Sequence, residues 1–127
     1  MMSIFDRLKR EQASRAKVAP TADDVFAAFA KAGVKLKEQK QHLAAPIDAL
    51  YCAGAKTEDD SLAMSVCEYR DVAAGTAGME TSKKTFAAVT TRTIWRNKAT
   101  TLAIIQTTKT PASDATEKKL ADTFAKL

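Results

Sequence analysis

The spacing of apolar residues changes several times along the chain, and each change marks an element. Val25, Phe26, Phe29 and Ala30 recur at helical spacing. Thr21 precedes them as an N-cap, and Asp24, three residues on, completes a capping box. Gly33 ends this helix in the left-handed conformation, with Val34 placed for the apolar contact beyond it. Val34-Lys35-Leu36-Lys37 then alternates, so a strand starts there. Residues 38–45 are polar and compatible with either a strand extension or a short helix, and Pro46 breaks whichever forms.

Two strand-like segments follow, Ala49–Ala53 and Leu62–Tyr69, on either side of the acidic turn Thr57-Glu58-Asp59-Asp60-Ser61. Along the second, Leu62, Met64 and Val66 point one way and Ala63, Ser65, Cys67 and Tyr69 the other. Asp71 is placed to cap a helix from Val72 to about Phe86, with Val72, Thr76, Met79 and Phe86 along one stripe. Gly75 and Gly78 each cost about 1 kcal/mol of helix propensity but let the helix approach a sheet closely. Thr90–Arg96 and Ala99–Ile105 are rich in β-branched residues and read as a hairpin turning at Asn97-Lys98. Ser113 or Asp114 is expected to cap a last helix carrying Leu120, Phe124 and Leu127 on one face.

The resulting expectation is an α+β fold: an antiparallel sheet of four to five strands with helices on one face, in the order α-β-β-α-β-β-α. A permuted ferredoxin-like arrangement fits that order. Residues 1–19 form a basic N-terminal arm with helical periodicity, and residues 20–127 form a single α+β domain.

Composition narrows the class. With 127 residues, 46% apolar and 28% charged, the chain suits one modest core. The net charge of +5 is uneven: residues 1–17 carry five basic and two acidic side chains, or +3. A nearly balanced body argues against a broad nucleic-acid face. Ile4, Phe5 and Leu8 share one face of the arm, a short docking surface for a protein or an anionic membrane. No apolar run approaches bilayer length, and residues 1–8 lack the apolar stretch and small-residue cleavage site of a secretory signal. The chain as it stands thus reads as cytoplasmic, or as periplasmic if a leader was removed.

Cys52 and Cys67 are the only cysteines. If Asp59-Asp60 form a two-residue loop, pairing outward from Glu58 and Ser61 sets Cys52 directly opposite Cys67. That placement suits a disulfide closing a loop of about 15 residues. The alternative is a pair of buried free thiols, which a reducing compartment favours. A zinc site from Cys52, Cys67, His42 and a carboxylate would lack the closely spaced ligand pairs of structural sites, and His42 sits in a polar stretch that reads as surface. No metal or cofactor is therefore expected.

Other chemistry is thinly represented. A triad would need His42 as its base, and no G-x-S-x-G elbow, phosphate-binding P-loop or dinucleotide fingerprint occurs. Gly75-Thr76-Ala77-Gly78 matches the G-x-x-G form of KH domains but lacks basic central residues. Arg92, Trp95 and Arg96 could make a stacking and phosphate-contact patch, against which stands a core tryptophan flanked by solvated arginines.

The run Tyr51-Cys52-Ala53-Gly54 through Val66-Cys67-Glu68-Tyr69-Arg70-Asp71, followed by an Ala-rich helix, resembles a pattern in small bacterial envelope proteins of lipoprotein type. The resemblance covers about 25 residues of the 127. It implies a paired Cys52–Cys67 and an extracytoplasmic setting, and no activity. The chain departs from that pattern at its start, with neither a lipobox cysteine nor an apolar leader.

The functional expectation is a small non-catalytic binding or assembly module, its partner most plausibly another protein. The surfaces of interest are the sheet face around Cys52, Cys67 and Tyr69 and the arm. A thiol-based redox protein using Cys52 and Cys67, and a weak nucleic-acid binder using Arg92, Trp95, Arg96 and the arm, are the alternatives.

Overall fold

The computed structural model describes residues 2–127. Its elements are α1 (Ile4–Ala13), α2 (Ala22–Lys31), β1 (Leu36–His42), a single 3-10 turn (Ala45–Ile47), β2 (Tyr51–Thr57), β3 (Leu62–Glu68), α3 (Val72–Thr85), β4 (Arg92–Asn97), β5 (Thr100–Gln106) and α4 (Pro111–Ala125). The five strands make one antiparallel sheet in the order β1-β2-β3-β5-β4. The α+β class, the antiparallel sheet and the expected element order hold; the arm forms α1, and the strand expected from Val34 is β1.

Local signals in the sequence act where chemistry predicts. Thr21 and Asp24 form the reciprocal capping box of α2, and Asp71 accepts from the Ala74 N–H at the start of α3. Gly33 sits at φ 89°, and Val34 N–H donates to the Phe29 carbonyl, which is the Schellman closure of α2. The undecided stretch after Leu36 is an edge strand as far as His42. Lysines and a register shift between Lys37 and Lys40 protect that edge from further pairing.

Three boundaries differ from expectation. The β2–β3 loop holds four residues rather than two, because Thr57 Oγ1 accepts from the Leu62 N–H and donates to Asp59 Oδ1, which also accepts from the Ser61 N–H and hydroxyl. Two- and four-residue loops centred on the same point preserve one register, so Cys52 still pairs with Cys67. The β4–β5 turn falls at Lys98-Ala99, with Lys98 at φ 55°. Asn97 instead donates its amide to the Phe124 carbonyl in the last turn of α4 and to the Leu127 carbonyl just past it. Thr110, not Ser113 or Asp114, caps α4, since Pro111 supplies the preset first helical residue and Ser113 completes the box.

Helices cover both faces of the sheet rather than the one face expected, because α3 packs on the cysteine side, opposite α2 and α4. Phe26 and Phe29 of α2 and Leu120 and Phe124 of α4 pack with Met64, Val66, Leu102 and Ile104 in the main core. On the other face lies a second cluster of Ala44, Ala49, Cys52, Cys67 and Tyr69, with Ala74 of α3 against it. α3 does not turn its Val72–Phe86 stripe inward; it buries Gly75, Gly78 and Ser82 instead. A Cβ on Gly75 would stand 3.3 Å from the Ala99 Cα, and one on Gly78 would overlap the Tyr69 ring. The glycines thus set the distance at which α3 meets this face. No helix among the described residues is long and apolar enough to cross a membrane.

Candidate functional site

Close approach of α3 at its glycine end leaves space at its other end. The space is a cavity of about 340 Å³ on the cysteine side of the sheet. Its floor comes from alternate residues of three strands: Ser65 and Cys67 of β3, Thr101, Ala103 and Ile105 of β5, and Arg92 and Ile94 of β4. Leu43, Pro46 and Ile47 wall one side, and Ser82 and Phe86 the other. The volume lies within the range of small-molecule sites, and most of the lining is apolar.

Six polar side chains stand in that lining: His42, Ser65, Tyr69, Ser82, Arg92 and Thr101. Arg92 donates from Nη2 to Ser82 Oγ at 2.6 Å, and its guanidinium carbon lies 4.5 Å from the centre of the Phe86 ring. No carboxylate among the described residues lies within ion-pair distance of it, and burial pushes the guanidinium below its ordinary value. An arginine stays protonated under any ordinary condition, so a half-buried positive charge faces the cavity without a protein counterion. Tyr69 is 1% exposed, and its hydroxyl makes no hydrogen bond of ordinary length and angle, although the Thr101 side chain stands beside it. Burial, and then the charge of Asp48, raise the phenol above its ordinary value, and Arg92 and the Thr101 side chain oppose that rise.

At the far end, His42 Nε2 lies 2.7 Å from Ser65 Oγ, which is 3.7 Å from Cys67 Sγ. Cys52 and Cys67 are joined in a disulfide whose Cα atoms are 4.2 Å apart, as their pairing requires. Both half-cystines are buried, Cys52 completely. His42 pairs with Cys52 on the outer side, so its imidazole is one of a row of three across β1, β2 and β3. The polar neighbours of His42 in sequence concealed this, because the convergence is across strands rather than along one.

The arm is tied to the body at three points. Gln41 Nε2 donates to the Leu8 carbonyl, and Glu11 accepts from the N–H groups of Ala44 and Ala45. Arg15 makes a two-point contact with Glu68, which is fully buried. Ile4 and Phe5 remain 56% and 73% exposed.

The remaining candidates are dispersed. Trp95 packs against the main core, whereas Arg92 lines the cavity on the opposite face. Alternation along β4 therefore separates the tryptophan from that arginine, and Arg96 donates to the Lys98 carbonyl. Tyr69 meets no open surface and reaches a partner only through the cavity. Sequence reasoning passed over Ser82, Phe86 and the His42–Ser65 contact. Ser82 had a faint signal, lying seven residues after Gly75 and so on the same helical face. No protein-family model, curated protein or solved structure matches this chain.

Proposed function

We propose that this protein is a small, disulfide-stapled binding module that takes an organic anion with an apolar tail into the cavity beneath α3. The observation that carries this reading is Arg92, a guanidinium at the floor of an apolar cavity with no carboxylate to pair with. A carboxylate head group would accept from Arg92, a charge-assisted bond of the stronger kind. The buried Tyr69 hydroxyl, which lines the same cavity, offers a second donor to the same head group. The tail would lie along Ile94, Ala103, Ile105 and Ile47, gaining about 0.8 kcal/mol for each methylene buried.

Binding of another protein has weaker support. Ile4 and Phe5 are a small exposed pair, and a stable protein interface needs about 800 Å² on each partner. The test is a titration of octanoate followed through backbone amide shifts. Shifts concentrated in β4, β5 and the C-terminal half of α3 support the reading, and shifts confined to α1, α2 or α4 refute it.

A further inference from the structure

Three potential metal ligands converge beside the cavity, one from each of three neighbouring strands. His42 Nε2 or Nδ1, Cys52 Sγ and Cys67 Sγ all lie within 4.8 Å of one another. Register explains the convergence: His42 pairs with Cys52 and Cys52 pairs with Cys67, so the three side chains form a row across the sheet. We propose that reduction of the Cys52–Cys67 disulfide turns this row into a Cys2His site for a soft divalent ion of the zinc type.

The imidazole is already oriented for the task. Nδ1 sits 3.3 Å from the Leu43 carbonyl oxygen, which can only accept, so Nδ1 carries the proton. Nε2 then offers its lone pair on the side of Ser65, whose hydroxyl meets it at 2.7 Å. A ligating histidine that gives its other N–H to a carbonyl is the usual second-shell arrangement. Two thiolates and a neutral imidazole are the ligand types that select zinc among common divalent ions. Three protein ligands leave a fourth position, and Ser65 and Cys67 both line the cavity, which supplies a route for the ion.

The chemistry balances with a thiol reductant of the glutathione class. One external thiolate attacks a cystine sulfur, forming a mixed disulfide and releasing the other cysteine as thiolate. A second external thiolate displaces the remaining cysteine. Two external thiols become one external disulfide, and the protein gains two electrons and two protons. Those two protons leave when the ion binds both sulfurs. The oxidised protein has no thiolate to offer, so the site exists only in the reduced form.

The test is a cobalt(II) titration of the full chain, with and without prior reduction by a phosphine that is then removed. The reduced protein is expected to bind one cobalt ion with thiolate-to-metal charge-transfer absorption and the intense visible bands of four-coordination, both abolished by zinc(II). The oxidised protein should show neither. In the reduced state His42→Ala should weaken cobalt binding about tenfold or more, and Lys40→Ala on the same strand should not. Equal spectra in both redox states, no charge-transfer band after reduction, or full affinity in His42→Ala would overturn the proposal. So would a reduced protein that loses cooperative unfolding and does not regain it with zinc.

Discussion

Arg15 closes on Glu68 across 53 residues of chain, with Nη2 2.5 Å from Oε2 and Nε 3.1 Å from Oε1. Glu68 has no exposure to solvent, and the Ala22 N–H is its other donor. Arg15 also lies 3.9 Å over the Tyr51 ring and 3.3 Å from Asp23. The basic arm is thus the counterion of a buried carboxylate at the end of β3.

Removing one partner of a buried pair leaves an uncompensated charge, at a cost of about 3–5 kcal/mol. Arg15→Ala and deletion of residues 1–18 should both lower urea-unfolding stability by that order. Deletion of residues 1–13, which leaves Arg15 in place, should cost much less. Similar losses for the two deletions would show that α1 itself, rather than the ion pair, stabilises the body.

Gly78 faces the Tyr69 ring where a Cβ would overlap it. Gly78→Ala gains helix propensity but overpacks the interface, a penalty of about 1–3 kcal/mol. Its unfolding midpoint in urea should fall, and the Tyr69 ring resonances should shift. A variant as stable as the parent would mean that α3 can retreat from the sheet.

Asp59 is held at about 2, chiefly by the Ser61 hydroxyl, then by the Ser61 N–H and the Thr57 hydroxyl. Because the folded value lies below the ordinary carboxylate value, the stability Asp59 contributes is present above about pH 4. It is lost as pH falls from there towards 2. A carboxyl NMR titration should place Asp59 at about 2, and Ser61→Ala should move it up towards the ordinary value. An unmoved Asp59 in that variant would contradict the turn geometry.

Cys52 and Cys67 close a loop with a sequence separation of 15. On the chain-entropy account, Cys52→Ala with Cys67→Ala should lose about 3 kcal/mol. Alkylation of freshly isolated protein without reductant should label neither cysteine in the intact mass. Two labels would show that the native protein holds free thiols.

These relationships were unequally legible in the sequence. The cysteine pairing could be read because a local turn sets the register, and a loop enlarged by one residue on each side leaves it unchanged. The caps at Thr21 and Asp71 and the αL glycine at Gly33 are likewise local, each decided within a few residues. The inward face of α3 was not legible. Its apolar stripe suggested one side, but the small residues Gly75, Gly78 and Ser82 determine how near the helix can come. The cavity lies beyond that close approach, and Arg92 belongs to it through the register of β4 on β5. The His42 row is equally non-local, since three strands must pair before its members meet.

The most direct test of the binding reading is calorimetric titration of octanoate into the native protein and into Arg92→Gln. A charge-assisted hydrogen bond contributes about 1.5–3 kcal/mol, which is about tenfold or more in affinity. The native protein should bind one octanoate, with octanol markedly weaker, and Arg92→Gln should lose that preference for the acid together with about tenfold in affinity. Absence of octanoate binding, equal binding of acid and alcohol by the native protein, or undiminished octanoate affinity in Arg92→Gln would contradict the account.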